Sequence, residues 1–291
     1  MTCAPPLSFA SSFLPTLYKP THHAAHLHTR IFSSPQLPRH PTPSRILTAS
    51  ARTSPSPSAS PDQPLNMPTD AAGPLATELA AFEQSFRSKT PPEMISAIDA
   101  SSAALAARFT PTPPSLGTKV ESFSLPNAKG ETVSLDSLLS SSTAVVLTYY
   151  RGSWCPYCNL ALRALAKSVD EIKALGATLV ALSPETPDES LTTKEKNEIP
   201  YEVLSDEGLV VAGKLGVAFT VGDDVKEIYG GFGIHLDEMN GNKGVRKAML
   251  PAPATIVLDK EGKVIYTFAD VNYSKRAEPA DIIAAIKKIK A

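Results

Sequence analysis

Thr143-Ala-Val-Val-Leu-Thr-Tyr-Tyr-Arg-Gly-Ser-Trp-Cys-Pro-Tyr-Cys158 decides how the rest of the chain is read. Its first seven residues are a continuous apolar, β-branched run, the pattern of a strand buried on both faces of a sheet. Pro156 through Ala174 then carries Leu160, Leu162, Leu165, Val169 and Ile172 at helical spacing, and Gly176 stands where a helix would stop. Strand, cysteines, helix is therefore the local order. Pro156 fits the first helical position, where its missing N–H costs nothing and its φ already matches. Cys155 sits at the helix N-terminus, whose unpaired N–H groups and dipole favour a thiolate, and Cys158 lies one turn further on. Residues three apart on a helix share a face, so the two sulfurs are within reach of each other. On this argument Cys155 carries the lowered pKa and the exposure, and Cys158 is the more shielded thiol.

The same pair is half of a common zinc site, but the other half is missing: after Cys3, in the leader, these are the only cysteines, and His235 is the only histidine beyond residue 71. No metal and no other cofactor is implied. A buried, inert pair stays open, since free cysteine packs well in cores. Two thiols so close cannot staple a domain, which excludes a secreted disulfide framework and points to a reducing compartment.

Outward from this centre, Ala177–Ser183 predicts a second buried strand, reached by a right-handed crossover. A helix around Leu191 to Asn197 and a strand at Tyr201–Leu204 follow. Residues 221–250, rich in Gly, Asp and Asn, read as an insertion with weak structure of its own. Ala254–Leu258 and Val264–Phe268 flank Asp259-Lys-Glu-Gly262, a hairpin turn, and Ile282, Ile283, Ile286 and Ile289 form a closing amphipathic helix. Towards the N-terminus, residues 74–109 predict two short helices packed on the main domain as an appendage, separated from it by the Pro-rich connector Pro111–Pro114. The division is a leader over 1–66, a helical extension over 67–114 and an α/β domain over 115–291.

Residues 1–61 contain no acid and five basic residues, Lys19, Arg30, Arg39, Arg45 and Arg52; thirteen of the 27 prolines and five of the six histidines precede residue 71. Such a segment has too few apolar positions to offset the entropy of ordering. Its composition is that of an organelle import peptide, for the mitochondrion in the first place or alternatively the chloroplast, or else of an untargeted tail. Translation from Met67 would remove it and leave a cytosolic protein. The formal charge is −1, and without the leader's five cations the remainder carries −6, which offers no basic field for nucleic acid. No apolar stretch reaches the roughly 18 residues of a membrane span.

Tyr150-Arg-Gly-Ser-Trp-Cys-Pro-Tyr-Cys158 resembles the active site of the peroxiredoxin, or alkyl hydroperoxide reductase and thiol-specific antioxidant, family within the thioredoxin-like superfamily. Phe123-Ser-Leu125 with Gly130 and Val133-Ser-Leu135, Val180-Ala-Leu-Ser-Pro184 and Val203-Leu-Ser-Asp206 are similar to further family signatures, so the likeness runs from about Gly117 to the C-terminus. The resemblance implies a thioredoxin-like fold, a central mixed sheet flanked by helices, here with an N-terminal helical extension. It implies a thiol peroxidase in which Cys155 attacks the hydroperoxide and becomes a sulfenic acid, Cys158 resolves it as a Cys155–Cys158 disulfide, and thioredoxin, glutaredoxin or glutathione reduces that bond. It makes Arg151 or Arg246 the arginine beside the thiolate, each otherwise a solvated surface residue. Pro253 before Ala254-Thr255 is similar to the family's cis-proline facing the cysteines, or else a turn proline. Trp154 reads as packing beside the thiols and His235 as surface or packing. Glu185, Asp206 and Asp259 read as caps or turn residues. The chain departs from the family in having Thr148 and Gly152 where peroxidases carry Pro and Thr, and Tyr149 where thioredoxins bury an acid. A thiol-disulfide oxidoreductase acting on proteins, and a redox-inert interaction module, are the competing readings.

Overall fold

The computed structural model describes residues 73–236, 240 and 248–289. The leader with Cys3, the start at Met67, and Arg246 lie outside the described residues. Two helices come first, α1 (Pro74–Lys89) and α2 (Pro92–Arg108), divided where Pro91 and Pro92 remove backbone donors and disfavour a helical residue before them. A small hairpin follows, β1 (Ser124–Pro126) with β2 (Thr132–Ser134), turned by Asn127, whose Oδ1 accepts the N–H groups of Lys129 and Glu131. Ser134 Oγ caps the short α3 (Leu135–Ser140) by accepting from Ser137 N–H.

β3 (Ala144–Tyr149) is buried at every position, as its unbroken apolar run predicts. It leads through residues 150–155 into α4 (Pro156–Ala174), the bounds the sequence indicates, and Gly176 (φ +76°) turns the chain into β4 (Ala177–Ser183). Then come α5 (Pro187–Lys196), β5 (Glu202–Ser205), α6 (Val210–Lys214), β6 (Ala218–Thr220), α7 (Asp223–Gly231), β7 (Met249–Pro251), β8 (Ala254–Asp259), β9 (Val264–Ala269) and α8 (Pro279–Ile289). The central sheet has five strands among the described residues, in the order β5-β4-β3-β8-β9. β3, β4 and β5 run parallel; β8 is antiparallel to β3 and β9 to β8, so the sheet is mixed, as the resemblance implies. The turn between β8 and β9 is held by Asp259, whose Oδ1 accepts from Glu261 and Lys263, as its sequence setting predicts.

Alternation along β3 sends Ala144 and Val146 to one face, among Leu162, Leu165, Ile172, Ile282 and Ile286, and Val145, Leu147 and Tyr149 to the other, among Leu135, Leu209, Leu215 and Leu258. Both faces are covered, which is why its run has no polar alternation.

Two expectations change. The N-terminal helices are not equivalent appendages: Leu75 and Leu79 of α1 are buried in the core that holds the cysteines, whereas α2 buries none of its residues. Glu278, at the start of α8, fastens α1 by accepting the N–H groups of Leu75 and Ala76, two donors that the helix N-terminus leaves without intrahelical partners. The described part of 221–250 is also better built than its Gly content suggests. The β6–β7 pair closes its base, and Val221, Leu236, Ala248 and Leu250 form a small core against which Tyr229 and Trp154 pack.

Candidate active site

The loop between β3 and α4 is anchored from below. Ser153 N–H donates to Glu185 Oε1 at 2.7 Å, and the Asn159 amide donates to Ser153 O at 2.9 Å, so both backbone polar groups of the residue two before Cys155 are held. Glu185 is buried, and its other oxygen accepts from the Tyr150 and Thr193 hydroxyls, each at 3.1 Å. Burial pushes the Glu185 carboxyl up, and these donors oppose that rise. Its sequence setting reads as a cap or turn; the structure makes it the buried acid under the cysteine loop. The same setting is right for Asp206, which accepts from Val211 and Ala212 N–H at the start of α6. Tyr149, standing where a thioredoxin carries its acid, donates its hydroxyl to Asp206 at 3.0 Å.

Cys155 is the N-cap of α4, as expected, but its sulfur accepts no helix N–H; its carbonyl accepts from Cys158 and Asn159. Nor is it the exposed member of the pair, with 2% of its surface open against 0% for Cys158. The charges are on the other side: Arg276 Nη2 donates to Cys158 Sγ at 3.0 Å, and Arg151 N–H points to the same sulfur at 3.5 Å. Burial pushes the Cys158 thiol up, but the hydrogen bond from Cys155, the charges of Arg276 and Arg151 and the Arg151 N–H outweigh it and hold it at about 5. Cys155 is pushed well above its usual value by burial, by the hydrogen bond it gives Cys158 and by the thiolate there. The guanidinium contact thus falls on Cys158 and not on Cys155, where a helix terminus alone would favour the thiolate, and a guanidinium in contact with a sulfur acts on it more strongly than a dipole with no N–H aimed at it.

Above the pair lies an aromatic enclosure. The Arg151 guanidinium is buried among the rings of Trp154, Tyr229 and Tyr273, its carbon 4.9, 5.4 and 5.1 Å from their centroids. It is therefore not a solvated surface arginine. Tyr157 is wedged edge-on between Phe82 of α1 and Tyr273, 5.0 and 5.4 Å between ring centroids. Gly152 leaves room for the indole, since a Cβ there would collide with Trp154 Nε1. Three buried polar atoms here have no hydrogen-bond partner: Arg151 Nε, Trp154 Nε1 and Tyr157 Oη.

Of the residues singled out in the sequence, Cys155, Cys158, Arg151 and Trp154 come together here. Arg246 lies outside the described residues, and His235 is exposed. Pro253 stands just before β8, whose Ala254 pairs with Tyr149 at the end of β3 that leads to the cysteines, but its peptide bond is trans. The chain here passes from one strand to the next with both flanking backbone bonds made, Ala252 N–H to Val217 O and Asp270 N–H to Pro253 O, in the ordinary trans form. Arg276 is the residue the sequence did not reveal. It comes from the loop between β9 and α8, where its Nη1 donates to Tyr273 O and Lys275 O, which aims Nη2 at the sulfur. Among the described residues no group of three or more His, Cys, Asp or Glu side chains could hold a metal, and no helix is long and apolar enough to cross a membrane.

A Cys-x-x-Cys pair at the start of a helix that leaves the middle strand of a mixed sheet defines a thioredoxin-like redoxin. The AhpC/TSA family model matches residues 116–267, over half of the chain, and the protein belongs to that family. Peroxiredoxin Q, chloroplastic, of Triticum aestivum is 27% identical over 175 residues, 60% of this chain and 66% of that one. Peroxiredoxin Bcp of Escherichia coli K12 is 30% identical over 95 residues, 33% of this chain and 60% of that one. The chain thus spans slightly less than two thirds of the length of these curated relatives. Among solved structures, the crystal structure of peroxidoxin BcpB from Mycobacterium tuberculosis matches with a TM-score of 0.48 and 22% identity, covering 60% of this chain and 98% of that one.

Proposed function

We propose that the protein is a thiol peroxidase that reduces hydrogen peroxide or an organic hydroperoxide with the Cys155–Cys158 pair. One observation carries this reading: a buried sulfur in contact with an oriented guanidinium at 3.0 Å, with a second thiol one turn away. One sulfur of the pair becomes a sulfenic acid and the other condenses with it to an intramolecular disulfide. The unpartnered Arg151 Nε, Trp154 Nε1 and Tyr157 Oη are the donors available to an incoming peroxide oxygen. A thioredoxin-type reductant, or glutaredoxin or glutathione, regenerates the dithiol by exchange. Burial of both sulfurs favours a small hydroperoxide over a protein disulfide as substrate, because a protein partner must expose a sulfur before it can form a mixed disulfide. Of the two organelles that the acid-free leader allows, the relatives favour the plastid: the wheat protein is named chloroplastic, and nothing in the comparisons favours the mitochondrion.

The test compares two rates for the reduced protein, consumption of hydrogen peroxide and reduction of a protein disulfide such as that of insulin. The peroxidase reading expects peroxide to be consumed much the faster. A faster protein-disulfide reaction would make the protein a disulfide oxidoreductase, and the absence of both would make it a redox-inert module.

A further inference from the structure

We propose that Cys158 is the sulfur that attacks the peroxide, held as a thiolate by Arg276, and that Cys155 resolves it, the reverse of the order the sequence argument gives. The proposal rests on the thiol peroxidase reading and adds to it the direction of the first step.

Two contacts on the Cys158 sulfur carry it. Arg276 reaches Cys158 Sγ at 3.0 Å with Nη2, and its Nη1 is tied to two backbone carbonyls of its own loop, so the guanidinium is oriented before any substrate arrives. The Arg151 N–H adds a backbone donor to the same sulfur. Cys155, by contrast, receives no N–H at its sulfur although it caps the helix. Among the charged and titratable groups around the pair, Arg276 and Arg151 act on both sulfurs, and the buried Glu185 is turned to Ser153, Tyr150 and Thr193. Tyr157 and Tyr273, beside Cys155, are both pushed up by burial and remain protonated at neutral pH, with Glu83 and Arg87 of α1 beyond them. Exposure does not favour Cys155, since both sulfurs are closed off.

The chemistry balances. The Cys158 thiolate attacks the hydroxyl-bearing oxygen of ROOH; an S–O bond forms, the O–O bond breaks, and the alkoxide leaves and takes a proton from solvent as ROH. Sulfur is oxidised to Cys158–SOH and the peroxide is reduced. Cys155 then loses its proton and attacks Cys158 sulfur; the S–S bond forms, and hydroxide leaves with that proton as water.

Two measurements on the full chain test the assignment. In the first, Cys155→Ser and Cys158→Ser are each reduced, mixed with one equivalent of hydrogen peroxide, trapped with dimedone and mapped by mass spectrometry. Cys155→Ser should react once and carry the adduct on Cys158. Cys158→Ser, which lacks the attacking sulfur, should lose the fast first step altogether and leave only the slow reaction of the protonated Cys155 thiol. In the second, the ultraviolet absorbance of the thiolate is titrated without peroxide. Cys155→Ser should ionise well below an ordinary thiol and Cys158→Ser at or above one; Arg276→Met should raise both, and the former the more, since only Cys158 is in contact with the guanidinium. Thiolates react and thiols do not, so alkylation of Cys155→Ser should be slow in acid and reach a plateau by neutral pH. A dimedone adduct on Cys155 in Cys158→Ser, formed at the wild-type rate, would overturn the proposal, as would a low-titrating Cys155 in that variant. If no form reacts with peroxide, the peroxidase reading fails while the titration still decides which sulfur is the thiolate.

Discussion

The two sides of the cysteine loop are built on opposite principles. Below it, Glu185, Asn159, Tyr150, Thr193 and Asn197 form a network in which both Glu185 oxygens, the Asn159 carbonyl and the Ser153 backbone groups all have partners. Above it, a charged guanidinium is enclosed by three rings, and three buried polar atoms have none. A satisfied buried network fixes geometry; unsatisfied buried donors cost about 1–3 kcal/mol each and are uncommon in folded proteins. The lower side therefore sets where the sulfurs stand, and the upper side holds the donors that the proposed reaction leaves for a peroxide oxygen.

Removing the lower side should have the largest effect on folding. Glu185→Ala orphans the Ser153 N–H and the Tyr150 and Thr193 hydroxyls, and should cost at least about 3 kcal/mol at about 1–3 kcal/mol for each. Glu185→Gln, which keeps one acceptor oxygen, should cost less than half of that. Urea unfolding of the reduced proteins measures both, and an alanine variant within about 1 kcal/mol of wild type would mean that the network does not hold the loop. Next come the N-terminal helices. Leu79→Ala should cost about 2–3 kcal/mol by opening a cavity beside Phe82 and Tyr157, and Leu105→Ala, on the helix that buries nothing, less than about 1 kcal/mol. Equal losses would erase the distinction between α1 and α2. The upper side should respond in the reverse sense: Arg151→Met should change stability by no more than about 1 kcal/mol, since the cation is already desolvated among rings, while slowing the first peroxide step tenfold or more. A variant that is much less stable but equally fast would assign Arg151 to the scaffold.

The parts legible in the sequence are those set by local pattern. The run Ala144–Tyr149 could only be a doubly buried strand, the apolar spacing from Leu160 to Ile172 fixed α4, and Asp259-Lys-Glu-Gly262 fixed the last hairpin. What pattern could not show was contact at a distance. Arg276 is 118 residues from Cys158 in a loop that reads as a turn of Asn, Ser and Lys, and nothing in its neighbourhood marks it as a thiolate partner. Glu185 is followed by a Thr-Pro helix start, which looks like a cap, and only the three-dimensional structure shows Ser153 above it. The spacing of Cys155 and Cys158 was enough to find the site but not to show what touches each sulfur, since the helix terminus is visible in sequence and the arginine in contact with Cys158 is not.

The central claim is that this buried pair is spent on a hydroperoxide, two thiols for each peroxide. The most direct measurement follows Trp154 fluorescence while the reduced protein is mixed with one equivalent of hydrogen peroxide, then takes the intact mass and the peptide map of the product. The expected result is a fluorescence change as fast as peroxide loss, a mass lower by about 2 Da for the two hydrogens removed, and a single peptide containing a Cys155–Cys158 disulfide. Peroxide left unconsumed while both thiols remain titratable would contradict the account.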